Sequence, residues 1–116
     1  MGDFPAFMKS PANRIAAASE HTRGIEGYVF DGADGSQMAF WQADTDAVTA
    51  EHVHDFDEYV IVVEGTYVLV VNGEEVRVDA GQEYHIPRGT PVAGRITAGT
   101  RTIHAFGGHR ARRVER

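Results

Sequence analysis

From residue 25 to residue 106, apolar side chains come in short runs that are either β-branched or alternate with polar residues. Both patterns are typical of strands, the first buried on both faces and the second with one face in water. Glycine-containing turns separate the runs, and no helical periodicity appears among them. Asn72-Gly73, between V-L-V-V and E-E-V-R-V, is typical of a two-residue β-hairpin turn. The pattern predicts eight or nine short strands, among them 26–31, 37–42, 59–63, 67–71, 76–78, 92–97 and 100–106, and therefore a sandwich or barrel.

The two ends of the chain depart from this pattern. Residues 1–24 are rich in alanine, and Ser10-Pro11 resembles an N-cap followed by proline at the first helical position, which predicts a short helix over 11–18. A helix of that length needs a surface to pack on, so we expect a docking arm or a subunit contact. The basic residues 108–116 predict a frayed, solvated tail or, alternatively, a basic lid or a contact with an acidic neighbouring subunit. The expected organisation is an arm at 1–24, a β-barrel at 25–107 and a tail at 108–116.

The composition narrows the classes of function. A chain of 116 residues is long enough for one hydrophobic core, and its net charge of −6 disfavours nucleic acid as a partner. It has no cysteine, which excludes disulfides and thiolate metal ligands. No apolar run approaches a membrane span, and the first residues lack the basic and then apolar pattern of a signal peptide. We therefore expect a cytoplasmic protein whose partners include neither nucleic acid nor membrane.

The stretch that is richest in candidate chemistry covers residues 52–65 and reads H-V-H-D-F-D-E-Y-V-I-V-V-E-G. His52 and His54 are two residues apart, so on a strand their imidazoles would project to the same side. Glu58 follows four residues later and precedes a β-branched run that ends at Gly65. Two imidazoles and one carboxylate suit a borderline divalent metal and leave coordination positions open. The alternative is that the histidines are ordinary polar residues on a solvent-facing strand.

The spacing H-x-H-x(3)-E-x(6)-G resembles the first motif of the cupin superfamily. The second cupin motif, G-x(5)-P-x-G-x(2)-H-x(3)-N, is matched at Gly81, Pro87 and Gly89, whereas Val92 and Ile96 stand where the family has histidine and asparagine. The resemblance implies an all-β fold, the cupin-type double-stranded β-helix. This is a jelly-roll barrel of two antiparallel sheets, here with a short N-terminal helical arm. It also implies a metal and a small molecule in the mouth of the barrel.

The resemblance implies three metal ligands from the first motif and a missing fourth ligand at Val92. His104, in the last predicted strand, is expected to reach the site from beside that position and to replace the missing ligand. The alternative is that His104 lines the pocket or bonds to neighbouring backbone. His85 has the opposite parity to its apolar neighbours and is expected to point outward. The implied cofactor is a divalent transition metal, Fe, Mn, Ni or Zn. The expected metal ligands are His52, His54, Glu58 and His104.

The function that the resemblance implies is a metal-binding single-domain cupin with a small-molecule site in the barrel mouth. Cupins with this chemistry include dioxygenases, sugar isomerases and decarboxylases, and the sequence neither chooses among them nor assigns a catalytic residue. The alternative is a non-catalytic small-ligand-binding or sensing cupin, which the apolar Val92 favours, and a metal-free barrel is a further possibility. Single-domain cupins commonly pair, so we expect a homodimer with residues 1–31 at its interface.

Overall fold

A computed structural model describes residues 3–16 and 24–114, and in these ranges the chain is mostly β-strand, as its hydrophobic pattern predicts. The strands are β1 (Ile25–Asp31), β2 (Gln37–Ala43), β3 (Ala47–His52), β4 (Glu58–Glu64), β5 (Thr66–Val71), β6 (Glu74–Asp79), β7 (Glu83–Ile86), β8 (Val92–Ile96) and β9 (Arg101–Phe106). The sequence pattern did not predict β3. Its sequence, A-V-T-A-E-H, has Val48 as its one large apolar residue, and that side chain is 52% exposed. Its strand conformation therefore comes from pairing with β8 rather than from local hydrophobic pattern.

The strands form two antiparallel sheets. One sheet has the order β1-β2-β9-β4-β7 and the other has the order β3-β8-β5-β6. From β2 to β9 the chain passes repeatedly between the two sheets, and only the β5–β6 hairpin stays within one of them. This winding is the double-stranded β-helix, so the predicted all-β jelly-roll barrel is confirmed.

The predicted hairpin joins β5 to β6. Val71 pairs with Glu74, which leaves Asn72 and Gly73 as the two turn residues. Their φ angles are 52° and 82°, the left-handed values that a type I′ turn requires and that asparagine and glycine tolerate best. The Asn-Gly prediction is confirmed.

The core lies between the two sheets and determines which side chains face the site. Along β4 and β5 every second residue is buried, including Val60, Val62 and Leu69. Glu58 has the same parity as Val60 and Val62, so it points into the barrel from the first position of β4. His104 on β9 pairs with Val60 and is also buried. The polar site thus lies at one end of the barrel interior. Its side chains point inward because they share the alternation of inward-facing residues that builds the core.

The helix predicted over 11–18 is not formed. The arm contains two short 3₁₀ turns, Ala6–Lys9 and Pro11–Asn13, while residues 17 and 18 of the predicted helix lie outside the described ranges. The chain then becomes extended, because the N–H of Ile15 donates to the carbonyl of Gly27 at 2.8 Å. Pairing with the edge strand β1 therefore replaces a helix too short to be stable alone. Within residues 3–16 and 24–114, no helix has the length and apolar character needed to cross a membrane.

The C-terminal segment is docked rather than frayed as far as residue 114. The buried side chain of Gln37 on β2 accepts the N–H of Arg110 at 2.8 Å and that of Ala111 at 2.9 Å, and its amide donates to the carbonyl of Ala111. Ala111 is 3% exposed, and Arg113 donates to the carboxylate of Asp31. The prediction of a solvated tail is wrong for this part, because buried Gln37 needs partners and finds them in the tail backbone.

Candidate metal site

The three residues of the H-x-H-x(3)-E spacing come together across the gap between the two sheets. His52 is the last residue of β3, Glu58 is the first residue of β4, and the loop 53–57 carries His54 from one sheet to the other. The expectation that both histidines project from one strand is therefore wrong, because β3 ends at His52. Their rings nevertheless meet, with centroids 4.5 Å apart.

Backbone hydrogen bonds from glycines hold the ligand loop in place. The N–H of Gly89 donates to the carbonyl of His54 at 3.0 Å, and the N–H of Gly107 donates to that of Asp57 at 2.8 Å. Asp57 also accepts from the Arg88 N–H at 2.9 Å. Gly89 has a φ of 80°, so the turn that delivers its N–H favours glycine at this position. The second motif of the sequence therefore supports the loop of the first.

The geometry of the cluster fits a metal ion. One ligand atom from each of His52, His54 and Glu58 can be chosen so that all lie within 4.8 Å of one another. Within residues 3–16 and 24–114, the buried His54 Nε2 has no hydrogen-bond partner, and it lies 3.6 Å from Glu58 Oε1, too far for a good hydrogen bond. Two ligands bound to one ion at about 2.1 Å in a tetrahedral arrangement lie about 3.4 Å apart. The spacing of these two atoms therefore corresponds to the separation of two ligands of one ion.

A backbone carbonyl determines which nitrogen of His52 is available. Nδ1 of His52 lies 3.0 Å from the carbonyl oxygen of Ala50, and because a carbonyl can only accept, Nδ1 carries the hydrogen. In the neutral imidazole the lone pair is then on Nε2. Such a bond from the remote ring nitrogen is the usual way in which proteins orient a metal-binding histidine.

His54 is kept neutral at physiological pH. Burial lowers its pKa to about 4, and the positive charge of His52 adds to the effect, while Glu58 opposes it. The His54 ring stacks on Phe56 at 4.8 Å between centroids, which limits its contact with water. A neutral imidazole with little access to water is the form that binds a metal.

Glu58 and His104 form a buried pair. His104 Nδ1 lies 2.8 Å from Glu58 Oε2, and since an ionised carboxylate only accepts, Nδ1–H is the donor. Burial raises the pKa of Glu58, but the hydrogen bond from His104 and the charges of His104, His54 and His52 outweigh it and the pKa is lowered overall. Nε2 of His104 lies 3.0 Å from the hydroxyl of Thr102. The carboxylate is therefore ionised, with one oxygen bound to His104 and the other directed at His54.

The structure does not bring His104 to the position of Val92. Val92 pairs with His52 on the four-stranded sheet and is 2% exposed, whereas His104 comes from the five-stranded sheet. Both ring nitrogens of His104 have hydrogen-bond partners, so ligation would require one of them to be released. Its role as fourth ligand stays a prediction. His85 points outward and is paired with Asp57 at 3.0 Å, as its parity predicts.

A pocket of about 90 Å³ adjoins the cluster. Its lining residues are Ile25, Trp41, Thr49, His52, Glu58, Tyr67, Ile96, Thr102, His104, Phe106 and Arg110. Of the neighbours Phe40 and Trp41, which the sequence places on opposite faces, Trp41 is the one in the pocket. Phe40 packs against Phe4 and Phe30 instead. Tyr59 does not belong to the core, because its side chain is 37% exposed.

Two residues of the four-stranded sheet shape the pocket wall together. A Cβ added at Gly94 would overlap the ring of Tyr67 on the neighbouring strand, so glycine at this position makes room for that ring. Burial, together with the negative charge of Glu58, raises the pKa of the Tyr67 hydroxyl. Tyr67 therefore contributes a neutral hydroxyl-bearing ring to the pocket.

Sequence reasoning missed Arg110 as a residue of the site. Arg110 lies in the segment that we expected to be solvated, and it is an exposed residue that also lines the pocket. The signal that could have found it is Gln37, a polar residue on the inward parity of a strand, which needs buried partners. The sequence does not show that those partners are in the C-terminal segment.

Comparisons with known proteins agree with this fold. The family model described as "Cupin domain" matches residues 39–107, and no curated protein matches the chain. Among solved structures, the chain is similar to KdgF from Halomonas sp., with a TM-score of 0.68, 22% identity and coverage of 75% of this chain and 81% of that one. A RmlC-like cupin from Shewanella frigidimarina NCIMB 400 has a TM-score of 0.68, 19% identity and coverage of 81% and 82%. A salicylate 1,2-dioxygenase from Pseudaminobacter salicylatoxidans has a TM-score of 0.66, 16% identity and coverage of 72% and 26%. At these identities the likenesses concern the fold.

Proposed function

We propose that this chain, which belongs to the cupin domain family, binds one divalent transition metal through His52, His54 and Glu58 and a small molecule in the adjoining pocket. The observation that carries the proposal is the buried Nε2 of His54, which has no hydrogen-bond partner among the described residues and faces Glu58 Oε1 at 3.6 Å. A buried polar atom without a partner is costly, and a cation between the imidazole and the carboxylate would satisfy both.

The donor set determines which metals suit the site. Two imidazoles and one carboxylate favour Fe(II), with Mn, Ni and Zn also compatible, and they leave open positions beside the pocket. When bound, such an ion supplies a Lewis acid or a redox centre. The chain's own residues orient and enclose the site. His104 holds Glu58, Ala50 orients His52, and the ring of Phe56 covers His54.

His104 has two possible roles in the loaded site. As a positioning residue it would keep its hydrogen bond to Glu58 Oε2 and the hydroxyl contact with Thr102. As a fourth ligand it would release one of these partners and turn a nitrogen to the ion. The distances in this structure support the positioning role, since both nitrogens are already bonded.

Within this site we favour a metal-dependent enzyme of the dioxygenase, isomerase or decarboxylase type. The support is a small pocket lined by ionisable side chains, together with a fold similar to that of a salicylate 1,2-dioxygenase. A non-catalytic ligand-binding cupin is the second candidate. It is supported by Val92, a buried apolar residue directly paired with His52, which leaves the metal without a ligand from the four-stranded sheet beyond His52 itself.

We also propose that the chain forms a homodimer through its N-terminal part. β1 ends the five-stranded sheet, with Arg14 and Ile15 of the arm paired to part of its outer edge, and the exposed side chains Phe7 and Met38 lie on the arm and on β2. Burial of an edge strand and of such side chains is a common reason for pairing. The expectations of a cytoplasmic location and of no nucleic-acid or membrane partner stay predictions.

The test of the metal site is the metal content of the purified protein and its titration with Fe(II), Mn(II), Ni(II) and Zn(II), without affinity nickel or chelator. We expect one ion per chain and a loss of affinity of at least about 100-fold in Glu58→Gln, because the amide is neutral and a poor ligand. The matched control is His85→Ala, which removes an exposed histidine outside the cluster. No uptake of any of the four ions, or equal affinity in Glu58→Gln, would contradict the proposal.

A further inference from the structure

One arginine of the pocket has no carboxylate partner. Within residues 3–16 and 24–114, the basic side chains in ion pairs with carboxylates are Lys9, Arg77, Arg88, Arg95, Arg101 and Arg113. Arg14 lies over the ring of Tyr28 instead. In the same ranges, Arg110 and Arg112 have no carboxylate within ion-pair distance, and of the two it is Arg110 that lines the pocket. Its charge is therefore available to a group that enters the pocket.

The backbone around Arg110 is fixed. Gln37 Oε1 accepts both its N–H and that of Ala111, and Ala111 is buried against the five-stranded sheet. Two residues further on, the carbonyl of Arg112 accepts the N–H of Ala16 at 2.7 Å. These bonds hold the start of the Arg110 side chain at the rim of the pocket. The guanidinium has only its own rotamers to select, so less entropy is lost when it binds a ligand.

We propose that Arg110 recognises the carboxylate of the pocket's ligand, so that the pocket takes a small carboxylic acid in its ionised form. A guanidinium is charged at all relevant pH values and presents two parallel N–H donors that match one carboxylate. The chain has a net charge of −6, so a local cation is needed for an anion to be favoured at this mouth.

The other walls of the pocket suit the organic part of such a ligand. Trp41, Ile25 and Phe106 supply apolar surface, and the volume of about 90 Å³ restricts the ligand to a few non-hydrogen atoms. A single guanidinium beside apolar walls matches a carboxylate better than a phosphate, which usually takes several donors. This inference rests on the proposed small-molecule site but does not require the metal.

The pocket contains its own reporter, because Trp41 is the single tryptophan of the chain and lines the cavity. The experiment follows tryptophan emission while acetate and propionate, and separately acetamide and propionamide, are added to metal-free and to zinc-treated protein. We expect the wild-type protein to bind each carboxylate about tenfold more tightly than the matched amide. Arg110→Gln should bring that ratio close to one, and Arg110→Lys should retain part of it.

The matched control is Arg112→Gln, which removes the same charge from the same segment outside the pocket and should keep the wild-type ratio. The same ratio in wild type and Arg110→Gln would overturn the inference, as would the absence of any response to the carboxylates up to their solubility limit. Tighter binding of inorganic phosphate than of either carboxylate would also overturn it.

The two proposals fail separately. If zinc is not taken up but the Arg110-dependent preference persists, the metal site is refuted and the carboxylate site stands. If carboxylate binding requires zinc and is unchanged in Arg110→Gln, the metal site stands and this inference is refuted.

Discussion

The two walls of the pocket come from different sheets and differ in chemistry. The five-stranded sheet supplies a bonded polar series in which Thr102, His104 and Glu58 follow one another at hydrogen-bond distance. It also supplies the apolar side chains of the pocket that come from Ile25, Trp41 and Phe106. The four-stranded sheet supplies His52, whose bonded nitrogen is turned to its own backbone, beside apolar Val92. The five-stranded sheet therefore holds the Glu58 carboxylate in a fixed position, and the four-stranded sheet supplies the imidazole of His52.

This difference shows how a small barrel can bury a carboxylate with a small loss of folding free energy. The buried carboxylate needs a partner, and His104 on the neighbouring strand provides it while its other ring nitrogen is bonded to Thr102. The wall formed by the four-stranded sheet is packed tightly, as the fit of Tyr67 against Gly94 illustrates. An ion held by His52, His54 and Glu58 would draw on both walls, so the predictions below separate the contributions of the two walls.

The largest expected effect on folding stability comes from the wall formed by the four-stranded sheet. Gly94→Ala would place a Cβ against the Tyr67 ring, and we expect a loss of about 2 kcal/mol in the free energy of unfolding, the usual cost of overpacking. Urea unfolding measures it. The control is the same substitution in a Tyr67→Ala background, where the cost should fall well below that value. An equal cost in both backgrounds would mean that the ring is not the obstacle.

The next effect is the pH dependence of folding stability that comes from His54, in the loop between the two sheets. His54 has a folded pKa of about 4 against its usual 6.5, so the unfolded chain binds a proton there more readily. The stability from this depressed pKa is complete above pH 6.5 and is lost as pH falls towards 4. For metal-free protein we expect a loss of about 2 kcal/mol between pH 7.5 and pH 5, measured by urea unfolding. His54→Phe should remove most of this difference, and an unchanged pH dependence in that variant would contradict the assignment.

A smaller effect tests the polar wall. His104→Asn places an amide nitrogen near the position of Nδ1, so the hydrogen bond to Glu58 can be kept while imidazole ligation is lost. If His104 positions Glu58, the retained hydrogen bond should limit the loss of metal affinity to about tenfold, the lower end of what replacing a ligand's hydrogen-bond partner costs. Isothermal titration with Zn(II) measures this. A loss comparable with that of Glu58→Gln would make His104 a ligand.

The smallest expected effect concerns Val92, on the four-stranded sheet. Val92→His introduces an imidazole beside His52, and we expect metal affinity to rise by less than about tenfold, because the added ligand is offset by the cost of burying a polar ring in a packed site. Co(II) absorption should report a changed coordination number. If metal affinity rises and no substrate turnover appears or changes, the alternative of a non-catalytic ligand-binding cupin is favoured. An unchanged Co(II) spectrum would mean that residue 92 does not face the ion.

Much of the fold was predictable from the sequence because its determinants are local. Strand positions follow from alternation, and the β5–β6 hairpin follows from Asn72-Gly73. β3 and the arm were not predictable in the same way, since each takes its conformation from a neighbouring strand. The predicted helix over 11–18 failed because Ile15 finds a backbone partner in Gly27.

The sequence by itself determined the identity of the candidate ligands, because the spacing of His52, His54 and Glu58 is specific enough to single them out. Tertiary structure decided how they meet, by the crossing of a loop between sheets rather than along one strand. It also decided that His104 faces Glu58 and that Arg110 reaches the pocket. Both contacts join residues far apart in the chain. Such contacts depend on how the sheets and the C-terminal segment pack, which no local pattern encodes.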